Sequence, residues 1–423
     1  MKKAAVISLT IPEIPGKSGG EIRDIYLFGY LARHYQTDYF SIHNYFGQGE
    51  PDRDFIKLFA HVYEPCMINE QYHAMVDENV RLSAAEKLRY RLSLHGRYLP
   101  GQKLPAELLG FRNEFNRYIR RFFEHCARRK KYDYVFISPQ VNPAIIEDLA
   151  LPDQTKVIWA MYDVEKVRHK RLLETKKTRV DRWFYRFEAA AACRFEKAAA
   201  AKSDGIIVVS DLDRRRFAKY YNRSDCEVLS VENGVDVDYF YAMQAGTDYK
   251  IVFVGNMGYA SNAQAVRYFV KKVFPLIVKK YPQTHFYAVG ANASQELKSL
   301  ETDHVTVTGM VSDVRDYLKM AHIVCVPLLA GSGTKYKVLE AMACEKPVVT
   351  TSIGAEGLMV SDGKNIVIAD TAQEMADNVI RLFEHPNRCL EIGKKAREFI
   401  LANHDWNAVL PKIDAWVENL CCH

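Results

Sequence analysis

The stretch Pro327-Leu-Leu-Ala-Gly-Ser-Gly-Thr-Lys-Tyr-Lys-Val-Leu-Glu-Ala-Met-Ala-Cys-Glu-Lys-Pro-Val-Val-Thr-Thr351 decides how the chain is read. It has the order glycine loop, helix, strand, and the largely β-branched run Ile323 to Val326 supplies another strand just before it. Gly331 and Gly333 let the backbone turn sharply and approach a ligand. Thr334 is expected to cap a helix running from Lys335 to about Cys344, which Pro347 stops. Ser332 and the rest of this loop, with the first helical turn, offer free N–H groups beside Lys335 and Lys337, which suits an anionic phosphate. Glu340 follows Lys337 by three residues and shares its helix face. A carboxylate there would repel phosphate but can accept the two vicinal hydroxyls of a ribose. Phosphate donors and a sugar-binding carboxylate on one helix point to a nucleotide or nucleotide-sugar site.

Length and composition frame that site. A chain of 423 residues fits two domains better than one. Its hydrophobic content of 48% is ample for two packed cores. The net charge of +6, from 58 basic and 52 acidic residues, is a mild bias that a solvated surface explains, so nucleic acid is not implied as a partner. The nine cysteines are scattered without metal-ligand spacing, which reads as free thiols in a reducing compartment. Met1-Lys-Lys-Ala-Ala-Val-Ile-Ser-Leu-Thr10 is too short an apolar run for a signal peptide and reads as a first strand. No segment has the apolar length to cross a bilayer, so a cytoplasmic or peripherally attached protein is expected.

In the first half, Ala4 to Leu9 should be a parallel strand, followed by a loop to Gly20 and a helix over about Glu21 to Tyr35. In a doubly wound sheet the loops at the carboxyl ends of strands build the site, so Gly19 and Gly20 are expected at a cleft with Arg23 in the first helical turn. The plainer alternative is a glycine turn and a surface arginine. Glu107 to Lys131 has helical spacing in Leu108, Phe111, Phe115, Ile119, Phe122 and Phe123, a stripe that reads as core. Its basic end, Arg128-Arg-Lys-Lys131, complements the helix dipole; the other reading is a membrane-facing patch. Asp163 and Glu165 follow the strand Lys156 to Ala160, where general-base or acceptor-orienting work would suit them. Helix capping, or pairing with Arg168, explains them equally well. A long helix follows, from about Val180 to Lys202.

Three further segments carry a resemblance: Glu232-Asn-Gly-Val-Asp236, Gly255-Asn-Met-Gly-Tyr-Ala-Ser-Asn262 and Val307-Thr-Gly-Met-Val-Ser-Asp-Val314. With the opening stretch they resemble, in order, the donor-binding segments of GT-B glycosyltransferases, family 4 in particular. The resemblance implies an α/β fold of two Rossmann-like doubly wound domains facing across a cleft. It places an acceptor-binding domain over 1–240 and a donor-binding domain over 241–404, with a terminal helix in 405–423 packing back on the first. It implies transfer of a hexose-type sugar from a UDP- or GDP-sugar to a glycan, lipid-linked or other glycoconjugate acceptor, with retention and without a metal or other cofactor. Many relatives act on lipid-linked acceptors, which is the ground for peripheral membrane contact.

The donor would meet Gly255 and Asn256, the turn Gly309-Met310-Val311, and Gly331, Ser332, Gly333, Thr334, Lys335, Lys337 and Glu340. Gly19, Gly20 and Arg23 would lie against the donor phosphates or the acceptor. Relatives carry a basic residue in the Gly255 loop, where Asn256 and Asn262 are neutral, so the diphosphate charge should fall on Lys335 and Lys337. They also carry two glutamates seven residues apart; Glu340 fills the second position and Ser332 the first. Asp211-Leu-Asp213 has the spacing of a metal dyad but opens a helix, where capping is expected. No G-x-G-x-x-G follows the first strand, which argues against a nicotinamide enzyme, and no Walker lysine motif is present. A nucleotide-sugar epimerase, a phosphorylase and a catalytically degenerate scaffold remain alternatives on the same fold.

Overall fold

The computed structural model describes residues 1–8, 11–12, 14, 19–41, 53–63, 111–139, 146, 149–175, 179–244, 246–331 and 334–420. They divide into two compact units. The first comprises Met1–Val208, Arg216–Leu229 and Trp416–His423, and the second Val209–Arg215 and Ser230–Ala415.

In the first unit the strands are β1 (Lys3–Ser8), β2 (Gln36–Ser41), β3 (His61–Tyr63), β4 (Tyr134–Ile137), β5 (Lys156–Ala160), β6 (Gly205–Val208) and β7 (Val228–Ser230). They form one sheet in the order β3-β2-β1-β4-β5-β6-β7, parallel from β3 through β6. Every residue of β4 and β6 is buried, as both faces of a parallel sheet require. The helices are α1 (Gly19–His34), α2 (Arg53–Ile56), α3 (Phe111–Lys130), α4 (Glu165–Thr175) and α5 (Arg179–Lys202), with α6 (Asp211–Tyr221) divided between the two units. Phe122 and Phe123 of α3 are buried against Phe40, so this part of the aromatic stripe is core; Leu108 lies outside the described residues. The basic run after Glu165 is itself helical, ending at Thr175.

The second unit holds β8 (Lys250–Val254), β9 (His285–Val289), β10 (Val305–Gly309), β11 (Ile323–Val326), β12 (Val348–Thr350) and β13 (Val367–Ile368). They form a wholly parallel sheet in the order β10-β9-β8-β11-β12-β13. Its helices are α7 (Ala260–Tyr268), α8 (Phe274–Val278), α9 (Gln295–Lys298), α10 (Arg315–Met320), α11 (Tyr336–Ala343), α12 (Ala372–Glu384), α13 (Pro386–Asn403) and α14 (Trp406–Val409); α15 (Lys412–Leu420) ends the chain's helices. The chain is continuously helical from α7 through α8, widening to a π turn over Phe269–Val273 that buries Phe269 and Val273.

Two tryptophans explain two glycines. A Cβ on Gly205 would lie 2.5 Å from the Trp416 ring, whose indole N–H donates to the Cys226 carbonyl at 2.7 Å. A Cβ on Gly234 would lie 2.5 Å from the buried Trp406 ring, so Trp406 is a packing residue. The backbone of Val235 is tied to His404 at 2.7 Å, which fastens the Glu232–Asp236 segment to the end of α13. Among the described residues no helix is long and apolar enough to cross a membrane.

Candidate nucleotide-sugar site

Because the second sheet is parallel, Gly255, Gly290, Gly309 and the loop leaving β11 all emerge at its carboxyl end. The expected helix after the glycine loop is present but starts one residue late. Lys335, not Thr334, is its N-cap, with extended backbone (φ −96°, ψ 103°) and a carbonyl that receives the Val338 N–H at 2.9 Å. Thr334 is displaced from capping because its buried hydroxyl faces Gly357, whose Cβ position would be 3.4 Å away. Gly357 has φ +80° and Gly331 φ +142°, conformations that favour glycine. The Lys335 amine folds back over Gly331, with Cε 3.3 Å from where a Cβ would be. Ser332 and Gly333 lie outside the described residues.

Two residues after Lys335, in the first turn of α11, Lys337 reaches the Gly255 loop. Its ammonium donates to Asn262 Oδ1 at 3.1 Å and lies 5.6 Å from the Phe253 ring centroid. A side chain at Gly255 would meet Lys337 Cε and Asn262 Nδ2, each at 3.0 Å, so the glycine makes room for both. Asn262 in turn donates to the Asn256 carbonyl at 2.7 Å, and Asn256 Oδ1 accepts from Gly258 N at 2.9 Å. Burial lowers the Lys337 pKa, an effect that nearby Glu340 opposes. An arriving anion would relieve the same penalty.

Glu340 lies a further turn along and is half-buried. Its pKa is raised to about 7 by burial, which the Lys337 cation only partly offsets. Among the described residues its carboxylate makes no hydrogen bond or ion pair. When ionised it is an acceptor-only group, suited to paired hydroxyl donors.

Gly290 is the residue sequence reasoning missed. Its φ is +141° and a Cβ would come within 2.1 Å of the Gly255 carbonyl oxygen. Its N–H donates to the Gly309 carbonyl at 3.2 Å, so it joins the Gly255 loop to the Gly309-Met310-Val311 turn. Gly309 has φ +71° with nothing within 4 Å of its Cβ position, and Met310 is 85% exposed. The signal was a glycine directly after a predicted strand, too common a pattern to single out. The structure thus brings Gly255, Asn256, Gly309, Gly331, Lys335, Lys337 and Glu340 to one end of one sheet.

The first unit has its own polar cluster. Gly19 and Gly20 are the first residues of α1 and not a loop before it, which helix ends permit because first-turn N–H groups have no intrahelical partner. A Cβ on Gly20 would lie 3.1 Å from the Tyr162 ring. Arg23 and Asp24 are each 1% exposed, which excludes a surface arginine. Asp24 accepts from Tyr162 Oη at 2.7 Å and from Ser138 Oγ at 3.4 Å, and burial raises its pKa to about 7.

Asp163 is half-buried in the turn after β5. Glu165 opens α4 and is engaged by Arg168 Nη2 at 2.5 Å and His169 Nε2 at 3.0 Å. Its carboxyl is desolvated, but those two partners outweigh burial and hold its pKa below the usual range, which suits pairing better than a base near neutrality. Buried Glu196 of α5 accepts the Glu165 N–H at 2.8 Å and so closes the start of α4. Asp211 and Asp213 lie in the first turn of α6 as expected, but the cap is Ser210, whose Oγ accepts the Asp213 N–H at 3.1 Å and donates to Asp213 Oδ2 at 2.6 Å, while Asp211 pairs with Arg214 and Arg215.

Comparison with known proteins adds a family match and a fold. Residues 248–385 match the family model described as glycosyl transferases group 1. An uncharacterized 44.6 kDa protein in the cps region of Klebsiella pneumoniae is 27% identical over 295 residues, covering 67% of this chain and 74% of that one. A phosphatidyl-myo-inositol mannosyltransferase of Mycolicibacterium smegmatis is 26% identical over 224 residues, 49% of this chain and 55% of that one. The match thus spans about half the length of the mannosyltransferase. Among solved structures, sucrose-phosphate synthase from Thermosynechococcus elongatus aligns over all of both chains with a TM-score of 0.66 at 16% identity. Anabaena HepE in complex with UDP and glucose aligns over 99% of this chain and 100% of that one, with a TM-score of 0.62 at 13% identity. At such identities the likeness establishes the fold, which is GT-B.

Proposed function

For this chain, a GT-B glycosyltransferase with a glycosyl transferases group 1 module, we propose the transfer of a hexose-type sugar from a UDP- or GDP-sugar to a glycan or lipid-linked acceptor. The observation that carries the reading is the ordered set on α11: Lys335 at the cap, Lys337 against Gly255, and Glu340 making no hydrogen bond or ion pair among the described residues. Lys335, Lys337 and the α11 N-terminus would take the diphosphate, and Glu340 the ribose hydroxyls. The Gly309-Met310-Val311 turn would meet the base. As the sugar bond breaks, negative charge grows on the departing diphosphate, and the two ammonium groups and helix N–H groups lower that cost. We assign no metal to this step and a retaining outcome.

Asp163, beside the Asp24–Tyr162 cluster, is the group we assign to orienting the acceptor hydroxyl. Glu165, committed to Arg168 and His169, would hold the start of α4 in place. The mannosyltransferase relative is named for a lipid-borne acceptor and the Klebsiella relative for a cps region, which favours glycoconjugate or polysaccharide assembly. The test is a panel of UDP- and GDP-sugars incubated with the protein, following nucleotide release. One donor should be hydrolysed slowly, and Lys335→Ala and Glu340→Ala should abolish that. Release of nucleotide from no donor, with no thermal stabilisation by any, would remove the reading and leave a scaffold.

A further inference from the structure

A parallel sheet is ordinarily covered on both faces, and β11 and β12 are buried at every residue. The outer strands β9 and β10 depart from this. Phe286, Ala288, Val305 and Val307 are buried on one face, whereas His285, Tyr287, Thr306 and Thr308, on the other, are each partly exposed. His285 and Tyr287 stack with ring centroids 4.4 Å apart, and His285 Nε2 meets Thr306 Oγ1 at 2.8 Å. The short helix α10 faces this surface with Tyr317, 6.0 Å from Tyr287. Beside them lies a groove of about 540 Å³, lined by these two tyrosines with Ser312, Asp313, Asp316 and Met320, and with Val311 of the Gly309-Met310-Val311 turn. That volume is in the range of small-ligand sites, and its composition is rings plus carboxylates.

The carboxylates differ. Asp313 is clamped by Arg315, through Nε at 2.9 and 3.0 Å and Nη2 at 2.6 Å, and the guanidinium also lies over the Tyr239 ring at 3.9 Å. Asp316 is exposed and has no ion pair among the described residues. With the Arg315 guanidinium taken up by Asp313 and the Asp316 carboxylate left over, the groove disfavours phosphate and other anions. Tyr287 is already stacked on His285, so the half-exposed Tyr317 ring is the one that would pack on the C–H face of a pyranose, and a carboxylate and a hydroxyl beside it bond to sugar hydroxyls.

We propose that the outer face of β9 and β10, with α10, binds a neutral oligosaccharide segment as an accessory site apart from the donor-binding residues of α11. The choice of a saccharide rests on the glycosyltransferase reading. An extended peptide would pair along the β10 edge, whereas these rings lie on the sheet's face.

The test uses the full chain and calorimetric titration with malto-, cello- and manno-oligosaccharides, and a sulfated oligosaccharide as the charged control. At least one neutral oligosaccharide should bind. Tyr317→Ala should weaken it about tenfold while Tyr287→Phe, which keeps the ring, holds within about twofold. Exposed Asp316→Asn, which does not threaten the fold, should weaken it several-fold. Donor hydrolysis should be unchanged in Tyr317→Ala, and Lys335→Ala should lose the donor yet keep the saccharide, so failure of either reading is told from failure of the other. Binding of no neutral oligosaccharide, binding indifferent to Tyr317→Ala and Asp316→Asn, or preference for the sulfated chain or an extended peptide would each overturn the proposal.

Discussion

Replacing Glu340 by glutamine should change both stability and donor affinity in ways that only pH separates. Burial raises the Glu340 pKa from 4.5 to about 7 in the folded protein, against the pull of Lys337. Between those two values the folded chain binds more protons than the unfolded one, so this group's contribution is most favourable below about 4.5 and is lost as pH rises through about 7. Full conversion of the shift would overstate it, since water reaches a half-buried carboxylate; a cost on the order of 1–2 kcal/mol at pH 8 is reasonable. Glu340→Gln should therefore raise the melting temperature by roughly 2–6 °C at pH 8 and by little at pH 5. Donor binding should run the other way. If the ionised carboxylate receives the ribose hydroxyls, affinity for an intact nucleotide-sugar should rise about tenfold from pH 6 to pH 8. The intact donor is the right ligand, because a free nucleoside diphosphate titrates in the same range. In Glu340→Gln the affinity should be weak and flat with pH. A wild-type affinity that is flat over this range, or a glutamine variant with the same slope, would refute the reasoning.

Other outcomes follow from the same contacts. Gly255→Ala puts a Cβ 3.0 Å from both Lys337 Cε and Asn262 Nδ2, so calorimetry should find donor affinity reduced about tenfold or more with the fold intact by circular dichroism. Gly290→Ala meets the Gly255 carbonyl at 2.1 Å with an unfavourable φ, and chemical denaturation should show a loss of about 2–4 kcal/mol. Glu165→Gln should cost less than about 1 kcal/mol of stability through its Arg168 and His169 pairing, whereas Asp163→Asn should act on the rate of transfer to acceptor.

Much of this architecture was legible in the sequence because its strands are short and apolar. β4, β5, β8, β9 and β11 occur at the residues their β-branched and aromatic runs suggest. The glycine loop and the lysines of α11 were legible for a different reason: phosphate binding demands small residues, free N–H groups and cations close together in sequence. The displaced N-cap was not, since Thr334 is a good capping residue locally and only its packing toward Gly357 removes it. Long-range partners were equally hidden. Nothing near Gly234 announces Trp406, nothing near Glu165 announces Glu196, and the Arg23–Asp24 pair reads as a polar helix start until the sheet buries it. The solvated face of β9 and β10 was visible only as an alternation in each strand, and acquired meaning when Tyr317 of α10 was found opposite Tyr287.

The most direct test of the donor site is calorimetric titration of UDP- and GDP-sugars into the wild-type protein, Lys335→Ala and Lys337→Ala. The account predicts that one donor binds the wild type and that each lysine variant loses at least about tenfold in affinity, as expected for removal of a charged hydrogen-bond donor to a diphosphate. Donor binding that survives both substitutions unchanged would contradict it and move the diphosphate away from α11.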